Sequence, residues 1–279
     1  LGDVYKRQVK GQKQLNLNGH TLRLFTQKSA LGDLIKVENS SLTLSDSSAA
    51  QTGRILGVTS GDADVLINVW ENGKFTMNSG KLEVEVYTGS LRGVLWRRTI
   101  DCHYGGEVVI NGGTLYVPPK TYEDSNAYTT QFFDEFDDLH NGSCGYTLIA
   151  NNNSKVTITG GTFSGQVQNS GVIENGQFNG AVNNYEGTIK GGTFNGSVKN
   201  ENDYDDGVLR RAGTISGGTF NGTVTNEAAG RISGGTYNGS VYGTFYTVAF
   251  VSNGGTAVPN QKHANTPVTA PTVSRAGYT

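Results

Sequence analysis

The chain is poor in several residues on which many folds rely. Its 279 residues include two cysteines, five prolines, one methionine and two tryptophans, and only 16% are charged. Cys102 and Cys144 are too few for a disulfide-rich scaffold and wrongly spaced for zinc. No apolar run approaches the roughly 18 residues of a membrane-spanning helix, so no transmembrane segment is expected. The formal charge is −2, and no Lys/Arg cluster is larger than a short pair such as Arg97-Arg98 or Arg210-Arg211. Nothing here forms an electrostatic footprint for nucleic acid. The four histidines, His20, His103, His140 and His263, are scattered without metal-ligand spacing. Gly-x-Ser-x-Gly, the phosphate-binding loop and the calcium-binding nonapeptide are all missing. No catalytic residue, cofactor or metal ligand is assigned, and the chain is not expected to be an enzyme.

Glycine is plentiful instead. The chain carries 40, about double the usual share, without the Gly-X-Y period of collagen. Between Val156 and Val241 one phrase is written five times, as Ile158-Phe163-Val167, Ile173-Phe178-Val182, Ile189-Phe194-Val198, Ile215-Phe220-Val224 and Ile232-Tyr237-Val241. Within each copy the spacing is five residues and then four. The step from copy to copy is nearly constant except for one wider gap, between Val198 and Ile215. Gly-Gly-Thr or Asn-Gly-Gln, then Asn-Gly or Ser-Gly, fill the spaces within each copy. One such unit cannot bury its own apolar face, so the copies must stack. Spacings this short, broken by glycine, fit strands of three or four residues joined by tight turns. The expectation is an all-β chain folded as a parallel β-helix, a β-solenoid. Asn169, Asn184, Asn200 and Asn226 sit two residues after the valine in four copies, where Gly243 closes the fifth. They form either a stacked amide ladder or a set of turn residues, and the stack should end at Gly243.

Upstream, the Ile column continues at equal steps through Ile110, Met77 and Leu44, and then to Leu17. The partner column continues through Leu115, Leu82, Ala49 and Leu22. Nine turns at about 4.8 Å each make a rod of roughly 40 Å. Two insertions interrupt it, near 118–146 and 201–211. The larger holds Tyr122, Tyr128, Phe132, Phe133, Asp134 and Asp137, the candidate ligand-contact residues. Such aromatics beside carboxylates stack on sugar rings or, with calcium, hold an acidic glycan. The alternative is a short amphipathic helix over the coil with its acids solvated. Cys102 and Cys144 bracket this insertion and would either close it with a disulfide or remain two small buried thiols. His103 and His140 lie in the same region, and each is expected to be a loop histidine without a partner.

The phrases LNLNGHTLRL and FTMNSGKLEV resemble those of right-handed, pectate-lyase-like parallel β-helices in bacterial surface proteins and polysaccharide-active proteins. That resemblance spans about residues 12–243 and speaks to fold more than to function. Its hydrolases need paired carboxylates on neighbouring strands. Here the repeat strands carry Thr, Ser, Lys and Asn, and neither Arg pair lies opposite an acidic ladder. The alternating Tyr246–Val251, the Asn253-Gly254-Gly255 turn and the closing Gly277-Tyr278-Thr279 resemble the Listeria–Bacteroides repeat, the internalin B-repeat-like module. That resemblance implies a small β-grasp-like unit at 245–279, truncated because the family's following Gly-Trp pair is missing. Residues 1–8, LGDVYKRQ, resemble the translation of a transposon-derived sequencing adapter and are read as a scar outside the fold. The solenoid then occupies 9–244 of a longer multidomain chain. Together the resemblances imply an extracellular or cell-surface stalk or adhesin-like binding module with a glycan or a cell-surface protein as ligand. A polysaccharide-binding or polysaccharide-active β-helix is the alternative, and a pure spacer a third reading.

Overall fold

Each repeat folds as one coil of three short strands. Ile158, Phe163 and Val167 each project inward from a different strand, and all three are at most 1% exposed. A computed structural model describes residues 7–25, 33–59, 63–86, 96–117, 145–150, 154–205, 208–252, 255–268, 270–272 and 274. Its strands pair in parallel with the coil above and the coil below, giving three long sheets of 11, 9 and 9 strands. The first sheet contains the Val column, the second the Ile column and the third the Phe column. Every described residue lies in a strand, turn or irregular segment, and none in a helix. The chain is a β-solenoid.

Stacking identical residues makes the interior a set of continuous columns. Phe163, Phe178, Phe194, Phe220 and Tyr237 stack face to face, with ring centroids 4.7, 4.8, 4.8 and 4.9 Å apart and planes within 11°. Burial contributes roughly 1.5–3 kcal/mol per ring, and ring contact about 0.5–1.5 kcal/mol more. The Asn positions form a true ladder. Asn169 Nδ2 donates to Asn184 Oδ1, Asn184 to Asn200 and Asn200 to Asn226, each at 2.7 Å. All four residues are buried. A turn role accompanies it, because Asn184, Asn200 and Asn226 also donate to Gly187, Gly213 and Gly230 carbonyls. The glycines are obligatory there: a Cβ on Gly187 would lie 2.3 Å from Asn169 Nδ2. At Gly243 the ladder stops, and Asn226 Nδ2 turns to the Thr244 carbonyl at 2.7 Å.

Upstream, two columns differ from the expected register. Leu44 pairs with Leu15, not Leu17, and Leu82 pairs with Ile55, not Ala49. Leu17 is nonetheless buried, at 4% exposure, two residues further along the chain. Ala49 lies in a loop from Asp46 to Gly53 that folds around a buried carboxylate. Asp46 accepts from the main-chain N–H groups of Gly19, Ser48 and Gly53 at 2.8, 3.1 and 2.6 Å, and from the Ser48 hydroxyl at 3.0 Å. Burial pushes its pKa up, but these bonds outweigh burial and hold it below the ordinary 3.8.

Other segments attach to this stack. The insertion near 201–211 is an antiparallel arm, in which Val198–Asp205 continues past the coil and pairs with Val208–Ala212. Tyr246–Val248 pairs antiparallel with Gln261–His263, further along than the strand expected directly after the Asn253-Gly254-Gly255 turn. Ala264 and Asn265 then close the last coil. Ala264 exchanges main-chain bonds with Ile232 at 2.8 and 2.9 Å, and Asn265 Nδ2 donates to the Ala228 and Gly230 carbonyls. At the other end, Arg7 and Gln8, read from sequence as outside the fold, pair along Arg7–Val9 with Ile35–Val37. Main-chain pairing demands no particular side chain, so any extended segment can occupy that edge.

Candidate functional site

The residues singled out from sequence, Tyr122, Tyr128, Phe132, Phe133, Asp134 and Asp137, lie outside the described residues, as do His140 and Cys144. Cys102 is described. On the strand Trp96–Cys102 it follows Ile100 inward and is a free thiol within the core. Burial first, then the charges of Asp101 and Glu107, push its pKa up to about 12 against an opposing bond from Ser154. It is protonated at neutral pH and sealed from oxidants.

The same alternation turns Asp101 outward, and there a cluster forms that the sequence reading missed. Register aligns Lys36, Asn68 and Asp101 across three coils of the first sheet, and aligns Glu38 with Trp70 one step further on. His103 follows beside Trp70. Asp101 is only 1% exposed, with one carboxylate oxygen bonded to Arg98 Nη1. The other lies 3.4 Å from His103 Nδ1, while His103 Nε2 is 3.1 Å from Asn68 Oδ1. His103, expected to be an unpartnered loop histidine, is therefore hydrogen-bonded to Asn68 and lies beside Asp101. Arg98 pairs with Asp101, three residues along its own strand.

Above this polar cluster lies an aromatic ledge. The Trp70 ring meets His103 edge-on at 5.0 Å and Tyr104 at 4.5 Å, and Lys36 Nζ sits 5.4 Å from its centroid. Lys36 is also paired with Glu38 at 3.0 Å. Tyr104 is 66% exposed and has a φ of 48°, in the left-handed region that a bulky side chain rarely enters. Gly105 shares the positive φ, and Gly106 N–H closes the tight turn on the His103 carbonyl at 3.0 Å. Holding an aromatic residue this way costs about 1–3 kcal/mol, and such strain concentrates at functional positions.

Around the same corner, Asn39, Ser40, Asn72 and Lys74 line a shallow polar cleft of about 370 Å³. Asn72 Nδ2 donates to Asn39 Oδ1 at 3.1 Å, and Ser40 Oγ is a buried atom with no hydrogen-bond partner. Aromatic rings beside amides and a lysine are suited to a ligand with one apolar face and several hydroxyls. The Asp101 carboxylate is enclosed and tied to Arg98. Among the described residues no three His, Cys, Asp or Glu side chains gather closely enough to hold a metal ion. The signal for the cluster was in the sequence: Asn68 and Asp101, like Trp70 and His103, are separated by the same step as Met77 and Ile110. No helix among the described residues is long and apolar enough to cross a membrane. No family model, no curated protein and no solved structure matches the chain.

Proposed function

We propose that this chain is a section of an extracellular, surface-displayed stalk that works as an adhesin-like binding module with a glycan as ligand. The reading rests above all on the ledge of Trp70, His103 and Tyr104, whose rings stand outside the apolar core. The core itself is closed by its own columns and needs no exposed, left-handed tyrosine. Sugar rings present C–H faces to aromatic rings and hydroxyls to amides, and both kinds of group meet at this corner. The rest of the solenoid supplies length and rigidity, and the resemblance of its phrases to surface β-helices supports the extracellular assignment.

The test is binding of the whole chain to a panel of neutral and acidic polysaccharides. Trp70→Ala and Tyr104→Ala should each weaken binding about tenfold or more, the usual effect of losing an aromatic anchor. Deleting residues 120–143 addresses the other candidate surface. Loss of binding only on that deletion would move the site to the insertion, and no binding to any glycan would favour the pure spacer. A polysaccharide-active protein would release oligosaccharide from a bound polymer, whereas the proposed module leaves the polymer intact.

A further inference from the structure

One column of the repeat contains glycine in four coils and a side chain in the fifth. A Cβ on Gly160, Gly191, Gly217 or Gly234 would meet a main-chain oxygen of the coil before it at 2.5, 2.3, 2.2 or 2.4 Å. In the coil between Gly160 and Gly191 this place is taken by Asn175. The chain there is displaced: the Ile158 carbonyl receives Glu174 N–H at 2.8 Å and Asn175 N–H at 3.3 Å, a shared bond. The Asn175 side chain is exposed. Its Oδ1 accepts from the main-chain N–H of the next residue, Gly176, at 2.9 Å. The Gly176 nitrogen is therefore held beside the side-chain carbonyl of its own neighbour, and glycine places no Cβ in the way.

We propose that Asn175-Gly176 is a self-modification site, at which the Asn175 amide is lost through a cyclic imide with water as the only co-reactant. The Gly176 nitrogen gives its proton to solvent base and bonds to Asn175 Cγ. The Cγ–Nδ2 bond breaks, and Nδ2 leaves as ammonia after taking a proton from water. Water then adds to either imide carbonyl and opens the ring. Opening on one side gives aspartate at position 175, and on the other isoaspartate, whose main chain runs through the former side chain. No electrons are transferred overall. The geometry supplies proximity, the factor that makes intramolecular attack fast.

Three other Asn-Gly pairs of the repeat are protected. Asn195, Asn221 and Asn238 donate Nδ2 to the Oδ1 of the preceding coil's asparagine at 2.8, 2.9 and 2.8 Å. The glycine nitrogens that would attack, Gly196, Gly222 and Gly239, donate instead to Phe178, Phe194 and Phe220 carbonyls. The outcome at position 175 matters to the rod. Isoaspartate lengthens the main chain between Ile173 and Phe178, whose inward positions are fixed by stacking on both sides. The reaction would loosen the stack at this coil as the protein ages.

The experiment is peptide mass spectrometry of the full chain during incubation in mildly alkaline buffer. Conversion at Asn175 should run about tenfold or more faster than at Asn195 or Asn221 in the same sample. Asn175→Gly restores the Gly-Gly pair of the other coils, so it should fold and lack the early acidic product. Conversion at Asn175 no faster than at Asn195 would overturn the proposal. So would an equal early rise of acidic product in the Asn175→Gly protein.

Discussion

Replacing Asn200 by alanine cuts the buried ladder at its middle rung. Asn200 donates to the Gly213 carbonyl at 3.0 Å and to Asn226 Oδ1 at 2.7 Å, and accepts from Asn184 Nδ2 at 2.7 Å. Alanine removes all three bonds in a place that water does not reach, since Asn200 is 0% exposed. Asn226 Oδ1 is left without its donor, at a cost of about 1–3 kcal/mol, while Asn184 Nδ2 and the Gly213 carbonyl keep other partners and lose about 0.5–1.5 kcal/mol each, so Asn200→Ala should lose roughly 2–6 kcal/mol. Asn195 gives an internal control, because it occupies a second asparagine ladder on the outside, which donates towards the preceding coil. It donates to Asn179 at 2.8 Å and accepts from Asn221 at 2.9 Å, but its surroundings are exposed. Water replaces those bonds, and Asn195→Ala should cost less than about 1 kcal/mol. Urea unfolding followed by circular dichroism measures both variants, with equal slopes required before free energies are compared. Equal losses at the two positions would refute the reasoning, because the inner rung differs from the outer in burial and in its added bond to the Gly213 carbonyl.

Two further outcomes follow from the packing. Phe194→Ala should cost about 3–5 kcal/mol in the same assay, because the ring is stacked at 4.8 Å on both sides and the cavity cannot collapse between fixed coils; a loss below about 1 kcal/mol would contradict stacking. Asp46, whose folded pKa lies below the unfolded 3.8, contributes stability that is present above that value and lost as pH falls through the folded pKa. Asp46→Asn should therefore be less stable than the parent near neutral pH, with the gap narrowing in acid, and a gap independent of pH would contradict the assignment.

The sequence made the repeats from Val156 to Val241 easy to read because each column carries one residue type at near-constant spacing. It failed where spacing changes. Leu15 and Leu17 are two residues apart, the alternation period of a strand, so side-chain alternation alone cannot tell a shift of two residues from the true register. Ile55 was missed because Asp46 gathers a loop of its own between the second and third strands of that coil, moving the partner column further along. The outer ladder of Asn179, Asn195, Asn221 and Asn238 was hidden for another reason: asparagine before glycine reads as a turn, which is also true. At the candidate site, Trp70, Asp101 and His103 come together only through the pairing of strands from successive coils. Single-residue chemistry gave no hint that a scattered histidine would bond to an asparagine of the preceding coil.

Coils stacked in register as one rigid rod underlie the ladder, the aromatic column and the ledge, and spin labels test that register directly. Thr193 and Thr219 are register partners facing outward from adjacent coils, although the whole antiparallel arm lies between them in sequence. With nitroxides at Thr193→Cys and Thr219→Cys, in a background lacking both native cysteines (Cys102→Ala, Cys144→Ala), neighbouring strands about 4.8 Å apart should give strong dipolar broadening. A spectrum equal to the sum of the two singly labelled proteins would contradict the register, and with it every feature built upon it.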